Sequence, residues 1–155
     1  MKVELDQNQE YDIIKKCLKG DRNAFKWLYE ENCNWLFAVC LRYVSNREDA
    51  EDVLQESFIQ IYRKLDTFQF QGSFKGWMRK VTVNTALATF RKNQIDFTES
   101  TSALYFETAE DTELLDQLDS DELKYLIDKL SPGRKQIFMA YAIDGYKHTE
   151  IAEML

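Results

Sequence analysis

A single proline and five glycines are spread over 155 residues. The residues that β-turns and tight loops demand are therefore scarce. A sandwich or barrel of many short strands would need them at every reversal, whereas long helices need them only at their ends. The chain is thus expected to be all-α.

Apolar residues recur at three- and four-residue steps, and cap residues fall between the periodic segments. A first helix is expected from about Gln9 to Lys19, ended by Gly20. A second, capped by Asp21, runs from Arg22 to about Val44. Ser45 or Asn46 caps a third, about Arg47 to Leu65. The stretch Asp66 to Gly72 reads as a loop, and Ser73 caps a fourth helix, about Phe74 to Lys92. From Ile95 to Asp116 the periodicity decays into a polar, acidic tract that reads as a linker. A helix over Leu118–Leu130 follows. Ser131-Pro132 opens another that ends near Asp144-Gly145, and Thr149 is the expected cap of a last helix, Glu150–Leu155. The expected organisation is a four-helix unit at 1–94, a linker at 95–116 and a shorter helical unit at 117–155.

Charge sharpens this division. Net charge is −7, but residues 1–95 carry 15 basic and 13 acidic side chains, and residues 96–155 carry 5 and 14. Such asymmetry suggests two units with different tasks. The longest clear apolar run, Leu36 to Leu41, is six residues. A membrane-spanning helix needs about 20. The N-terminus lacks the basic and apolar regions of a signal peptide, so a cytoplasmic protein without membrane insertion is expected. Cys17, Cys33 and Cys40 are odd in number and lack CxxC spacing, which suits reduced cysteines used as small apolar residues.

Two helical faces carry the candidate binding chemistry. On the third helix Ala50, Val53, Leu54, Phe58, Ile61 and Leu65 gather on one side as core. Asp52, Gln55, Glu56, Ile59 and Arg63 lie opposite. Ile59 in the middle of a largely acidic face is either a lone exposed isoleucine or the apolar centre of a docking surface. On the fourth helix Phe74, Trp77, Met78, Val81, Thr85 and Ala88 form the expected core stripe. Beside it Lys80, Asn84, Leu87 and Arg91 present basic and amide groups in register. That pattern suits phosphate and base-edge contacts, and equally an ordinary solvated face. The loop between these helices holds Phe68, Gln69, Phe70 and Gln71. Such side chains can stack on and hydrogen-bond an unpaired base, or the aromatics can simply plug the bundle.

No catalytic constellation or cofactor site emerges. His148 is the only histidine, which leaves no Ser/His/Asp or Cys/His set outside the distal unit and no pair of Glu-x-x-His motifs for a carboxylate-bundle metal site. Glu48, Asp49, Glu51 and Asp52 crowd a helix N-terminus, where the helix dipole accounts for them. There is no Gly-rich phosphate loop.

The segment Asp49-Ala50-Glu51-Asp52-Val53-Leu54-Gln55-Glu56-Ser57-Phe58 resembles conserved region two of bacterial sigma factors. Gly20-Asp21-x-x-Ala24-Phe25-x-x-Leu28-Tyr29 is similar to the family's opening. Phe74-x-x-Trp77-Met78-x-x-Val81-x-x-Asn84-x-Ala86 is similar to its promoter-reading helix. Leu130-Ser131-Pro132, Phe138, Asp144-Gly145-Tyr146 and Glu150-Ile151-Ala152 resemble the start of region four. The order and spacing of these motifs together are specific. The acidic linker, with no extra domain inserted, points to the extracytoplasmic-function class.

The resemblance implies an initiation factor with no chemistry of its own. It implies that Asp49, Asp52, Gln55, Glu56 and Ile59 dock on the β′ clamp helices of core RNA polymerase. Phe68, Gln69, Phe70 and Gln71 would hold a base flipped from the non-template strand of the −10 element. Lys80, Asn84 and Arg91 would contact the DNA there, and the acidic linker would thread the polymerase's basic RNA channel. Anti-sigma factors are a further partner class the family meets. Glu150–Leu155 matches only the first helix of the family's helix-turn-helix. The rest of that motif has no counterpart here, so specific reading of a −35 element is not expected. Two rivals stand beside this reading. A generic helix-turn-helix regulator would show a basic recognition helix, and a protein-binding adaptor would tolerate loss of Lys80, Asn84 and Arg91.

Overall fold

The computed structural model describes residues 7–44, 46–97 and 120–155. Every regular element among them is helical, as expected. The helices are α1 (Gln7–Leu18), α2 (Arg22–Tyr43), α3 (Arg47–Lys64), α4 (Phe74–Phe97), α5 (Ser120–Asp128), α6 (Pro132–Phe138) and α7 (His148–Met154). The chain divides into two compact units, Met1–Thr89 and Phe90–Leu155. Helix α4 runs across that boundary, so the first residues of the expected linker, 95–97, are helical; residues 98–119 lie outside the described residues.

Local chemistry sets the helix starts in the first unit. Asp21 accepts hydrogen bonds from the Asn23 and Ala24 amides at 2.9 and 3.2 Å, closing the N-terminus of α2. Asn46 does the same for α3, its Oδ1 accepting from the Asp49 amide at 2.8 Å while its Nδ2 donates to the Asp49 carboxylate. Gly20 sits at φ +82° with open space where a Cβ would stand, the left-handed residue that ends α1.

The core is built chiefly where α2 packs on α3 and α1 on α2. Leu28, Leu36, Val39, Cys40 and Tyr43 of α2 are buried, as are Ala50, Val53, Leu54, Phe58 and Ile61 of α3 and Leu65 just beyond it. The α3 core is the stripe expected from periodicity. Ile14 and Cys17 bring α1 into the same interior. Ser57 is fully buried in it and returns its hydroxyl to the Val53 carbonyl at 2.6 Å, which satisfies the one polar atom it carries inward.

Helix α4 departs from its expected stripe. Phe74, Met78, Val81 and Thr85 are buried, but so are Thr82, Val83, Ala86 and Leu87, while Ala88 is exposed. Between residues 81 and 87 the helix is enclosed on most sides, so a one-sided apolar pattern is a poor guide there. Leu87, expected on an accessible face, is fully buried.

In the second unit α6 opens at Pro132 as expected, although Ser131 makes no side-chain cap bond. It then widens into a π-helical turn over Met139–Ile143, closed by the Asp144 amide on the Met139 carbonyl at 3.1 Å. Gly145 at φ +75° lets the chain leave. Helix α7 begins one residue before the expected cap Thr149. Lys147 is its cap position, with its amide donating to Glu150 Oε2 at 2.9 Å, so Thr149 lies inside the helix.

All three cysteines are free, with Cys17 and Cys40 buried and Cys33 half-buried. Burial pushes the Cys40 thiol up to about 12, and burial followed by the nearby Asp21 carboxylate raises that of Cys17. Because the thiolate is the reactive form, Cys33 alone is expected to react rapidly with Ellman's reagent at pH 8, and all three after unfolding in urea. Rapid release of three equivalents from the folded protein would contradict this packing. A second expectation concerns Thr82, whose buried Oγ1 has no hydrogen-bond partner among the described residues. Thr82→Val keeps the shape and removes the unpaired hydroxyl, and should stabilise the first unit by about 1 kcal/mol in urea unfolding.

Candidate functional site

The packing of α3 on α2 turns Asp49, Asp52, Gln55, Glu56 and Ile59 to solvent. Ile59 is 45 % exposed at the C-terminal end of this set, one turn beyond Gln55 and Glu56. Part of the charge is internally committed. Arg47 Nε pairs with Glu51 Oε1 at 2.8 Å, and Gln60 donates to Glu56 Oε1 at 2.7 Å. Glu56 is thereby held in place while the residue remains exposed.

Beside Ile59 lies an apolar groove of about 360 Å³ lined by Phe25, Phe58, Ile59, Tyr62 and Arg63. Tyr62 is 53 % exposed and meets Phe25 edge-on, ring centroids 5.0 Å apart. Tyr62 was not among the residues singled out from sequence. Its position three residues after Ile59 on the same helix is the signal that would have found it.

The loop between α3 and α4 is ordered by its own backbone. A 3-10 turn at Leu65–Thr67 is closed by the Phe68 amide on the Leu65 carbonyl at 3.2 Å, and Thr67 Oγ1 donates to the Lys64 carbonyl at 2.6 Å. Phe68, expected as a base contact, is only 7 % exposed. Its ring packs 5.1 Å from that of Phe74 and 5.6 Å from that of Trp77, and it plugs the bundle. The accessible members of the loop are Gln69, Phe70 and Gln71. Phe70 has φ +56°, a conformation that few non-glycine residues adopt. Its ring is 43 % exposed and lies 4.6 Å from Tyr11 of α1. Gly72 at φ +84° turns the chain back, and Ser73 caps α4 by accepting the Gly76 amide at 3.2 Å.

On α4 the open strip comprises Trp77, Lys80, Asn84, Ala88 and Arg91, at steps of three and four. Lys80 and Arg91 are exposed and Asn84 is half-buried, with its Oδ1 buried and unpartnered among the described residues. Trp77 is half-buried and stacked on Phe74 at 14°, so one ring serves both core and strip. In the second unit His148 is exposed and stacks on Tyr141 at 4.3 Å, a local surface contact as expected.

Known proteins match this arrangement. The profile of Sigma-70 region 2 covers residues 28–95, and that of Sigma-70, region 4, covers residues 120–155. The first takes in α3, the loop and nearly all of α4; of the opening motif it includes Leu28 and Tyr29, while Gly20, Asp21, Ala24 and Phe25 fall outside it. The RNA polymerase sigma-H factor of Pseudomonas aeruginosa is 32% identical over 82 residues, 53% of this chain and 42% of that protein. The ECF RNA polymerase sigma factor SigW of Bacillus subtilis is 31% identical over 84 residues, 54% of this chain and 45% of that protein. In such matches the chain spans less than half the length of its curated relatives. The ECF RNA polymerase sigma-E factor of Salmonella typhimurium aligns more completely, 27% identical over 162 residues, 97% of this chain and 84% of that protein. A solved structure of the sigma factor RpoE in complex with the anti-sigma factor NepR from Bartonella quintana shares the fold. Its TM-score is 0.51 at 20% identity, covering 84% of this chain and 81% of that one. A helical unit matched by region 2 and a second helical unit matched by region 4 thus follow one another along the chain. The chain carries matches to both sigma-70 regions, and it is similar to sigma factors of the extracytoplasmic-function class.

The division of labour between the two loop phenylalanines is testable. Phe68→Ala should cost about 3–5 kcal/mol of stability, the usual loss for a buried aromatic. Phe70→Ala should cost less than about 1 kcal/mol. Urea denaturation of both variants checks the pair, and equal losses would mean that Phe70 is core.

Proposed function

We propose that this chain is a transcription initiation factor that binds core RNA polymerase and directs recognition and melting of the promoter −10 element, itself catalysing nothing. The observation that carries the reading is the outward face of α3, where Asp49, Asp52, Gln55 and Glu56 lead along the helix to the exposed Ile59, inside the stretch matched by region two. A polar surface with a desolvatable apolar centre is what a protein-docking patch requires. Its partner is the β′ clamp helices of the polymerase. The groove at Phe25 and Tyr62 extends the apolar centre.

DNA contact falls to the loop and to α4. Gln69, Phe70 and Gln71 grip a base extruded from the non-template strand, while Lys80, Asn84 and Arg91 follow the strand along the open strip. A site that binds only the extruded base favours the melted state by its binding energy, so no chemistry on the factor is needed. Phe68 supports this site from beneath. The protein works in the cytoplasm, where polymerase and chromosome are, and an anti-sigma factor is a further partner, as one is for the RpoE of Bartonella quintana.

The full chain is expected to co-elute with a cognate bacterial core polymerase on a sizing column, and the Asp52→Arg, Glu56→Arg double variant is expected not to. Lys80→Ala, Arg91→Ala should keep the polymerase and lose promoter opening, read with a fluorescent base in the −10 element. A folded wild type that fails to bind the core would overturn the proposal. Unimpaired opening by the Lys80, Arg91 variant would leave a protein-binding adaptor as the better reading.

A further inference from the structure

The function proposed above uses α3, the loop and α4, and leaves α1 without a part. Yet α1 touches the loop at two places. Glu10 lies where its carboxylate accepts the Phe74 amide at the start of α4, and partial burial raises its pKa despite that bond. Its negative charge is therefore directed at a helix N-terminus, where the helix dipole favours it. One residue on, Tyr11 meets Phe70 edge-to-face at 4.6 Å. On the same helix face Lys15 holds its ammonium 4.2 Å from the centre of the Tyr11 ring. Lys15 and Phe70 thus share one exposed ring as their common support.

This arrangement answers a question that the loop raises. Phe70 is the loop's one non-glycine residue with positive φ, and it is exposed, so burial does not explain why the conformation is held. Strained backbone of this kind persists where its surroundings over-determine it. The neighbours that grip the Phe70 ring are Phe68 from within, at 5.1 Å, and Tyr11 from α1. A ring held by two neighbouring rings keeps a fixed direction, which a selective stacking contact requires. A cation beside it meets the other demand of single-strand binding, a basic group for the backbone next to an aromatic for the base.

We propose that α1 forms a third wall of the single-stranded DNA site, with Tyr11 as the residue that positions Phe70 and Lys15 as a phosphate contact. The inference rests on the reading that the loop grips an unpaired base. The two residues have different signatures. Tyr11 governs how sharply one base is preferred over another, because it sets the direction of the ring that meets the base. Lys15 governs affinity for any sequence and its salt dependence, because phosphate contacts carry no sequence information.

The test uses the full chain and four fluorescein-labelled oligothymidylates that carry A, C, G or T at one central position, read by fluorescence anisotropy over a salt series. The wild type should prefer one central base, and Phe70→Ala should abolish the preference. Tyr11→Ala should weaken binding of the preferred oligonucleotide by about two- to tenfold, the worth of one aromatic pair, and flatten the preference. Tyr11→Phe, which keeps the ring edge and the seat for Lys15, should restore both. Lys15→Gln should weaken all four equally and reduce the salt slope by about 0.7, one phosphate contact on a single strand. If the wild type shows no preference, or Phe70→Ala leaves it intact, the loop reading fails and this inference with it. If Phe70→Ala abolishes the preference while Tyr11→Ala, folded by circular dichroism, retains it, the loop reading stands and the role of α1 is refuted. An unchanged salt slope in Lys15→Gln refutes the phosphate contact.

Discussion

The packing of α3 against α2 decides nearly everything else about the first unit. Ala50, Val53, Leu54, Phe58 and Ile61 are all buried, and a helix whose buried side is set this firmly has no freedom in its outer side. Rotating α3 by one residue would bring Asp49 or Asp52 toward Leu36 and Val39, and an unpaired carboxylate in an apolar interior costs several kcal/mol. The acidic face is thus exposed because the core cannot accept it. Rings on both helices lock the same rotation, with Tyr29 4.6 Å from Phe58 and Phe25 5.0 Å from Tyr62.

The face so exposed combines two demands that usually conflict. Carboxylates early in α3 are stabilised by the helix N-terminus and by Asn46, which bonds both the amide and the carboxylate of Asp49. Farther along, Ile59 leaves apolar area in water with no gain to the isolated fold, and Tyr62 is 53 % exposed although its ring meets Phe25. Charge that steers approach followed by apolar surface that holds on contact is the arrangement a docking helix needs. Local stability explains the carboxylates near Asn46 and leaves the apolar positions unexplained, so the apolar positions are the more telling part of the face.

How much of this was legible in the chain itself differs by helix. On α3 a single apolar period with one buried side made the apolar core stripe and most of the outer face readable, though it passed over the buried Ser57 and the exposed Tyr62. Helix α4 defeated the same reasoning because residues 81–87 are enclosed on several sides. There Leu87 proved fully buried and Ala88 exposed, and the open strip gathered Trp77 with Lys80, Asn84 and Arg91. The loop was legible as a loop, from Gly72 and the lapse of period. Which of its two phenylalanines faced inward was not, since both positions look alike in one dimension and only the bundle's interior distinguishes them. The contribution of α1 was invisible for a different reason. Tyr11 and Phe70 are 59 positions apart, and nothing in either neighbourhood marks them as partners. The start of α7 slipped by a residue or two because the Lys147 amide bonds Glu150, a backbone arrangement that a search for Ser, Thr, Asp or Asn caps passes over.

These differences bear on how the proposed site would work. A flipped base has lost its stacking and pairing in the duplex, so the pocket that receives it must replace those contacts without first paying to organise itself. In this chain the organisation is already present. Phe68 is anchored against Phe74 and Trp77, Phe70 is held on Phe68 and Tyr11, Gly72 turns the chain, and Ser73 fixes the first turn of α4. Exposed Gln69 and Gln71 alternate with the two rings and add hydrogen-bonding groups of either polarity. In the proposed site the buried aromatics would matter although a base would not touch them: they would hold the exposed groups in one arrangement, and a site with one arrangement can discriminate between bases where a loose loop would accommodate them all.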